Sequence, residues 1–403
     1  MSNSNKILIV YGSLNSVPSP EGAAPAKVIQ ETIEALNDDR FIVLSNTNLR
    51  LKDWDYDREV FRHVAFNHWS KLSLLLLKLR FNYSERKQLF ITGSDAQLHY
   101  FITVCLYVRK HQYKKIIVHV SPGLVSMLKL FCPDVEIVFY HHGTSLHTKL
   151  TERQWEQLLH QTKGIIGVNL AAKIKANETF RKQIKEQYFR VYNGISSMKL
   201  SKSEKFKNFT VLFSGRICRE KGVLDLIKAI RNLSDKGLNV NLILAGGAGT
   251  KRGLAEANKY LEKCKVYVNT HNLNVTFTGY LEKKALQKLY NQVHVLVLPT
   301  DAKLSSEGLS LSLIEGLSAG LPLIATAVGG NVEIVIENQN GFLIHTTENR
   351  EKEIANYIEY LLLNPEQYNK ISSAAESFYL KNFTPLRMSS QFINCLKKID
   401  FVN

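Results

Sequence analysis

Cysteines are few and widely spaced in this chain of 403 residues. There are five of them, an odd number, and none is paired as C-x-x-C. Neither a disulfide framework nor a cysteine-based zinc site is therefore indicated, and a reducing compartment is expected. The five are Cys105, Cys132, Cys218, Cys264 and Cys395.

Long apolar runs are also missing. No run approaches the roughly 18 residues that a membrane-spanning helix needs. The run at residues 7–11 is too short for a signal-peptide core and is expected to be a first buried strand. We therefore expect a cytoplasmic protein that, at most, lies on the inner face of a membrane. Solenoid repeats and low-complexity tracts are absent as well.

Acidic residues are fewer than basic ones. The chain has 52 Lys and Arg against 36 Asp and Glu, a net charge of +16. The excess is densest over residues 60–129, which favours an anionic partner for the N-terminal half. Nucleic acid is not expected, because no DNA- or RNA-binding motif accompanies the charge. This region has the basic residues Arg62, Lys71, Lys78, Arg80, Arg86, Lys87, Arg109, Lys110, Lys114, Lys115 and Lys129, and the acidic residues Glu85 and Asp95.

Short β-rich runs alternate with amphipathic segments along the whole chain, as in parallel sheets covered by helices. With 45% apolar residues, the pattern predicts an α/β protein of two doubly wound domains facing across a cleft. We expect domains at residues 1–192 and 210–375, a linker at 193–209, and a helical segment at 376–403 that packs back toward the first domain. The predicted strands are KILIVY, QLFIT, KIIVHV, VEIVFY, GIIGVN, FTVLFSG, VNLILAGG, VTFTGY, VHVLVLP and LPLIAT.

A basic, glycine-bounded loop follows the first strand of the second domain. Between Gly215 and Gly222 it offers the forked donors of Arg216 and the point charge of Lys221, which suit a diphosphate; an ordinary solvated loop is the alternative. Another glycine cluster begins at Gly246. It is not G-x-G-x-x-G followed by an acidic residue, and no G-x-x-x-x-G-K-[ST] occurs, so neither a nicotinamide cofactor nor a P-loop ATPase is indicated.

Two acidic residues eight apart mark the most informative segment. Glu307 is predicted to lie in a loop and Glu315 about two turns into the helix that follows, so both can address one site only if Glu307 precedes the helix. Backbone donors at that helix N-terminus would suit a phosphate. A solvated Glu315 and a Glu307 that merely stabilises the helix dipole are the alternatives. The donors belong to Gly308, Leu309 and Ser310.

Taken together, the ordered motifs resemble those of the retaining GT-B glycosyltransferases of family 4, which move sugars from nucleotide diphosphate donors. The resemblance covers most of the chain. It is carried by Glu21-Gly22-Ala23-Ala24, His142-Gly143, Asn193-Gly194-Ile195, SGRICREKG, LILAGGAG, VTFTGYL, the E-x7-E of Glu307 and Glu315, and AGLPLIAT with the GG that follows.

The resemblance implies a role for each matching residue of the second domain. Arg216 and Lys221 match the pair that holds the donor diphosphate. Glu315 matches the acid that accepts the ribose hydroxyls, and Glu307 the acid at the transferred sugar. Residues 308–310 match backbone contacts to sugar or phosphate. The loop at Gly246 and Gly247 and the backbone near Tyr280 match the lining of the nucleobase pocket.

In the first domain, Gly22 and Ala23 match the glycine-rich loop that closes over the β-phosphate, although the usual double glycine is Gly-Ala here. His142 matches the histidine near the reacting sugar, because Gly143 follows it. His141 and His142 are adjacent on a strand end, so only one of them can face the site.

Metal-independent transfer with retention of configuration is what the resemblance implies, with no cofactor besides the nucleotide-sugar substrate. The acidic triplet Asp53-Trp54-Asp55 is expected to be a solvated turn and not a metal site. A UDP-sugar is the favoured donor, and a glycan or lipid-linked hydroxyl the acceptor, in polysaccharide or glycolipid synthesis. The alternative function is a non-catalytic GT-B subunit or glycan-binding module.

Residues 68–81 contain four consecutive leucines between Lys71 and Lys78, with Trp69 at one end. This segment predicts a helix that could rest on an anionic membrane surface. The alternative is an ordinary helix packed on the first sheet with a basic outer side.

Overall fold

The structure is a computed structural model that divides into two compact units. The first comprises Met1–Gly194 and Pro385–Asn403, and the second Ile195–Thr384. The residues that it describes are 5–20, 22–52, 54–89, 91, 93–143, 146, 150–180, 187–201, 203–249 and 254–402.

The first unit is built on a parallel sheet. Its strands are β1 (Ile7–Tyr11), β2 (Phe41–Asn46), β3 (Phe61–Val64), β4 (Lys115–His119), β5 (Glu136–His141), β6 (Gly164–Gly167) and β7 (Tyr188–Arg190). Their order is β3-β2-β1-β4-β5-β6-β7, which reverses at β1 as in a doubly wound sheet. The helices are α1 (Ala24–Leu36), α2 (His68–Arg80), α3 (Tyr83–Gln88), α4 (Asp95–His111), α5 (Pro122–Phe131), α6 (Glu152–Gln161) and α7 (Ala171–Phe180).

The second unit repeats this architecture. Its strands are β8 (Thr210–Ser214), β9 (Asn241–Ala245), β10 (Val275–Gly279), β11 (Val295–Leu298), β12 (Leu323–Thr326) and β13 (Gly341–Ile344). They pair in parallel in the order β10-β9-β8-β11-β12-β13. The helices are α8 (Val223–Asp235), α9 (Leu254–Thr270), α10 (Lys283–Gln292), α11 (Leu311–Ser318), α12 (Asn331–Ile334), α13 (Arg350–Leu363) and α14 (Pro365–Asn382).

The last helix, α15 (Pro385–Lys398), returns to the first unit. Phe392 on this helix is buried, with its ring centroid 6.0 Å from that of Phe41 and 6.2 Å from that of Tyr140. Only residues 385–403 belong there, whereas the sequence predicted 376–403. The difference arises because α14 continues to Asn382, and its Tyr379 hydroxyl donates to the carbonyl of Ile195 at 2.7 Å within the second unit.

The predicted linker at 193–209 also differs from the structure, because most of it is bound to the second unit. The Met198 amide donates to Ser318 Oγ at 2.9 Å, and the Leu200 amide donates to Asn291 Oδ1 at the same distance. The division between the units falls between Gly194 and Ile195.

Among the predicted strands, QLFIT is wrong for the described part of that segment. Gln88 ends helix α3, and neither Leu89 nor Ile91 lies in a strand. A capping box explains the helix: Asn82 Oδ1 accepts from the Glu85 amide at 3.0 Å, and Glu85 Oε2 accepts from the Asn82 amide at 2.7 Å. Phe90 and Thr92 lie outside the described residues. Strands β2, β3, β7 and β13 are not among the predicted strands.

All five cysteines are free and buried. Across the described residues, no helix is both long and apolar enough to cross a membrane.

Candidate functional site

Loops at one edge of the second sheet carry most of the predicted site residues. Gly215 follows β8, Gly246 follows β9, Tyr280 follows β10, and Glu307 lies in the loop after β11. These strands are parallel, so their carboxyl ends meet at one edge, which is where ligands bind in doubly wound sheets.

Lys221 and Glu307 form an ion pair at this edge. Lys221 Nζ lies 2.5 Å from Glu307 Oε1, and the same oxygen accepts a hydrogen bond of 2.6 Å from the hydroxyl of Thr300. Thr300 is fully buried and Glu307 is nearly so. The carboxylate is therefore fixed by donors from two loops, one after β8 and one after β11.

The local backbone brings these two loops together. Arg219–Lys221 forms a single 3₁₀ turn, and Gly222 follows it with φ +66°, directly before helix α8. A Cβ at Gly222 would lie 2.0 Å from the carbonyl oxygen of Pro299, so only glycine allows this approach. Lys221 is thereby held next to the end of β11.

Arg350 braces the same region from helix α13. Its Nη1 donates to the carbonyl oxygens of Pro299 and Thr300, both at 3.1 Å. Its Nη2 hydrogen-bonds Asp225 in the first turn of α8 and lies 3.6 Å from Asp301 Oδ2. This buried guanidinium therefore links the strand end that carries Thr300 to the helix that follows Lys221.

The backbone of Glu307 is held as closely as its side chain. The amide of Gly330 donates to the Glu307 carbonyl at 3.0 Å. A Cβ at Gly329 would lie 2.1 Å from that carbonyl oxygen, and one at Gly330 would lie 1.9 Å from the carbonyl oxygen of Gly308. The GG pair thus packs directly under the loop of Glu307.

Glu315 lies in the second turn of α11, as its spacing from Glu307 predicted. Its Oε2 accepts a hydrogen bond of 2.9 Å from the hydroxyl of Tyr290, and both residues are buried. Burial, with the nearby Glu315 carboxylate, raises the pKa of Tyr290 well above its usual value. The phenol therefore remains a hydrogen-bond donor to this carboxylate at neutral pH.

Helix α11 begins later than the sequence suggested. Ser310 is its N-cap and Leu311 its first residue, so Gly308 and Leu309 precede the helix instead of forming its first turn. The Ser310 hydroxyl makes no capping bond and lies 3.0 Å from that of Ser312. The backbone donors of the first turn thus belong to residues 311–313.

The glycine loops approach one another through their backbones. The amide of Gly215 donates to Ala245 at 2.9 Å, that of Ile217 donates to Gly247 at 2.8 Å, and that of Gly246 donates to Gly279 at 2.9 Å. The loops after β8, β9 and β10 are therefore contiguous. The side chains of Arg216 and Tyr280 are exposed beside them.

Gly22, Ala23 and His142 belong to the first unit. Gly22 has φ +69°, and Ala23 is the N-cap of α1. Glu21 and Asp53 lie outside the described residues.

His142 directly follows β5 and forms a hydrogen bond with His119, whose Nδ1 is 2.8 Å from His142 Nε2. Its ring stacks on Tyr140 at 4.7 Å, so it shares a face of the sheet with Tyr140, and the adjacent His141 points to the other face. Burial, with the neighbouring His141, lowers the pKa of His142 to about 3. His142 is therefore neutral at physiological pH.

Three functional candidates were missed in the sequence: Thr300, Tyr290 and Arg350. Thr300 follows a predicted strand, which was a usable signal. Tyr290 and Arg350 lie 25 and 125 residues from the carboxylates they contact, so no local pattern marks them.

Comparison with known proteins places residues 198–378 within the family model described as glycosyl transferases group 1. Spore coat protein SA of Bacillus subtilis (strain 168) is 28% identical over 188 residues, which are 47% of this chain and 48% of that protein. The capsular polysaccharide biosynthesis glycosyltransferase CapM of Staphylococcus aureus is 30% identical over 155 residues, 38% and 37% of the two chains. Each match thus spans about half or less of the relative's length.

Solved structures match over nearly the whole chain. Anabaena HepE in complex with UDP has a TM-score of 0.72 at 19% identity, covering 97% of this chain and 99% of that one. The sucrose-phosphate synthase of Thermosynechococcus elongatus has a TM-score of 0.74 at 18% identity, covering 98% and 99%. This likeness, with the two doubly wound sheets, confirms the predicted GT-B fold class.

We expect Thr300→Val to lower the free energy of unfolding by about 1.5–3 kcal/mol, because Glu307 loses a hydrogen bond to its carboxylate. Thr326→Val is the matched control: Thr326 ends the neighbouring strand β12, and its buried hydroxyl has no hydrogen-bond partner among the described residues. That change should be neutral or slightly stabilising. Urea unfolding of both variants measures the difference, and equal losses would refute the role given to Thr300.

Proposed function

We propose that this chain, whose residues 198–378 match the family model of glycosyl transferases group 1, transfers a sugar from a nucleotide diphosphate donor to a hydroxyl of a glycan or lipid-linked acceptor. A UDP-sugar is the proposed donor, supported by the similar HepE structures in complex with UDP and UDP-glucose. The observation that carries the proposal is the meeting of Lys221 and Glu307 beside contiguous glycine loops at one sheet edge.

In this proposal the donor diphosphate lies against Arg216 and Lys221. Arg216 is exposed and can turn its forked donors toward phosphate oxygens, while Lys221 is held in place by Glu307. The first turn of α11 adds backbone donors and the positive end of a helix dipole. The closely packed glycine loops after β9 and β10 receive the nucleobase.

Glu307 and Glu315 have separate tasks in this proposal. Glu307 accepts hydrogen bonds from hydroxyls of the transferred sugar, next to the lysine that faces the phosphate. Glu315 accepts from the ribose hydroxyls, and Tyr290 orients its carboxylate from the buried side. Because hydrogen-bond partners within the protein already orient each carboxylate, less conformational entropy is lost when the donor binds.

We propose that transfer proceeds with retention of configuration. The bond from the anomeric carbon to the diphosphate oxygen breaks and leaves its electron pair on that oxygen. The acceptor hydroxyl attacks the same face, and its proton passes to the leaving diphosphate. Arg216 and Lys221 then stabilise the charge that develops on the leaving group. One such contact, at about 4 Å and an effective dielectric constant near 20, is worth about 4 kcal/mol, or close to three decades in rate.

The first unit supplies Gly22, Ala23 and His142 in this assignment, which rests on the family resemblance. Because His142 is neutral, its proposed contribution is a hydrogen bond to the sugar or acceptor and not a positive charge. We also propose a cytoplasmic location, supported by five cysteines that are all free.

The second candidate is a non-catalytic GT-B subunit or glycan-binding module. The four residues Arg216, Lys221, Glu307 and Glu315 favour the enzyme, because a subunit that binds no donor has no use for a paired lysine and two oriented carboxylates at this edge.

A panel of nucleotide sugars, incubated with the protein both without and with EDTA, tests the proposal and its metal independence. We expect at least one UDP-sugar to raise the melting temperature and to be slowly hydrolysed, and both effects to persist with chelator. If EDTA abolishes hydrolysis and Mn²⁺ or Mg²⁺ restores it, metal independence is wrong. If no nucleotide sugar binds, the non-catalytic alternative holds.

Lys221→Ala should reduce the transfer rate constant by about 10²–10³, more than it weakens donor affinity, because its contact strengthens as charge develops on the leaving oxygen. Arg219→Ala is the control: Arg219 is exposed two residues earlier in the same turn, and its loss should cost little. Steady-state transfer with one active donor compares the two. Equal losses at both positions would show that the loop only attracts the anionic donor and makes no specific contact with the leaving group.

Replacing Glu315 by Gln should weaken binding of free UDP by about tenfold or more, because a hydrogen bond to a charged acceptor contributes about 1.5–3 kcal/mol. Calorimetric titration measures this, with Glu366→Gln, an exposed carboxylate in the first turn of α14, as control. Unchanged affinity in the Glu315 variant, with an intact melting transition, would remove Glu315 from the nucleotide site.

A further inference from the structure

Helix α2 presents large apolar side chains to solvent on the side away from its core. Ser70, Leu74 and Leu77 are its buried residues. At about 100° per residue, the exposed apolar residues occupy one arc of about 120° on the opposite side. They are Trp69 at 71% exposure, Leu72 at 47%, Leu75 at 55%, Leu76 at 56% and Leu79 at 75%.

This arrangement is unlike that of an ordinary surface helix, whose outer side is polar. A contiguous exposed apolar surface of this kind marks an interaction site. The alternative of an ordinary helix with a basic outer side therefore differs from the structure in one respect: the outer side is mainly apolar, and the basic residues lie at its borders.

Exposed cations border the apolar arc on both sides. By the same angular spacing, Lys71 lies beside Leu75 at one border and Arg80 beside Trp69 at the other, and both are exposed. Lys78, next to Lys71, is paired with Asp95 at 2.6 Å. The wider region, residues 60–129, has eleven basic and two acidic residues.

We propose that this face of α2 binds an anionic lipid bilayer surface, with the apolar arc inserted among the acyl chains and Lys71 and Arg80 at the headgroups. An apolar stripe with cations at its borders is the pattern of a helix lying in a membrane interface. Trp69, at the end of the arc, is a side chain that favours the boundary between apolar and polar surroundings.

Two other partners could cover this face, a second copy of the chain or another protein, and the charged residues argue against both. A second copy pairing through the same face would place Lys71 and Arg80 near their own counterparts in a region already rich in positive charge. A protein partner fits less well, because protein interfaces are depleted in lysine. An anionic bilayer satisfies both the apolar arc and its borders. This binding does not depend on the proposed transferase activity.

Vesicle flotation tests the proposal. The protein should bind phosphatidylcholine vesicles that contain phosphatidylglycerol, bind vesicles of phosphatidylcholine alone far less, and be released as salt rises. The double variant Leu75→Ser/Leu76→Ser should bind about tenfold or more weakly, because less apolar area leaves water. Its control is Leu363→Ser/Leu380→Ser, at 59% and 57% exposure in the second unit, which should bind normally.

The charges and the tryptophan give independent readouts. Lys71→Gln and Arg80→Gln should each weaken binding to the anionic vesicles by about fivefold, whereas Lys370→Gln, exposed in the second unit, should not. Tryptophan emission should shift to the blue on binding, and Trp69→Phe should remove most of that shift, because Trp155 is already fully buried and Trp54, at 42% exposure, lies outside helix α2.

Several outcomes would overturn the proposal: no vesicle binding, equal binding to both kinds of vesicle, or equal losses in the leucine variant and its control. A dimer that Leu75→Ser/Leu76→Ser disperses without vesicles would also overturn it and would assign the face to a second copy. Vesicle binding needs no nucleotide-sugar donor. A failure to bind vesicles would therefore leave the proposed transferase activity untouched, and a failure to bind nucleotide sugars would leave the proposed membrane contact untouched.

Discussion

The carboxylate of Glu307, held by Lys221 and Thr300, is the contact on which the second unit's candidate site depends. Leaving a nearly buried carboxylate unpaired is costly, so the two loops that supply its donors must stay together. Gly222 allows their backbones to approach, and Arg350 fixes the strand end that carries Thr300. The lysine that the proposal places at the leaving diphosphate is therefore already positioned by an anion of the protein itself.

The two glutamates of the second unit's candidate site have different partners. Glu307 faces a cation, whereas Glu315 faces the neutral phenol of Tyr290, whose pKa burial raises. In the first unit, burial keeps His142 neutral at physiological pH. At the second sheet's edge, Arg216 and Lys221 contribute positive charge, and the two glutamates contribute hydrogen-bond acceptors. This division matches a reaction in which negative charge develops at one place and hydroxyls are recognised at another.

Most of the fold followed from local pattern. Alternating apolar runs identified nine of the strands, and the doubly wound architecture of both sheets followed from their spacing. The pattern failed at QLFIT, because the capping box of Asn82 and Glu85 begins a helix that runs to Gln88, the first residue of that predicted strand. It also failed at 376–384, because helix α14 runs unbroken past residue 376 to Asn382 and stays with the second unit.

The sequence by itself determined that Arg216, Lys221, Glu307 and Glu315 follow strands of one sheet, since motif order and spacing are local properties. Tertiary structure alone decided that Lys221 pairs with Glu307 across 86 residues, and that Arg350 braces the site from 125 residues beyond Asp225. It also decided that the leucines of α2 face outward: helical spacing puts side chains on a common arc, but only the packing of Leu74 and Leu77 selects the arc that is buried.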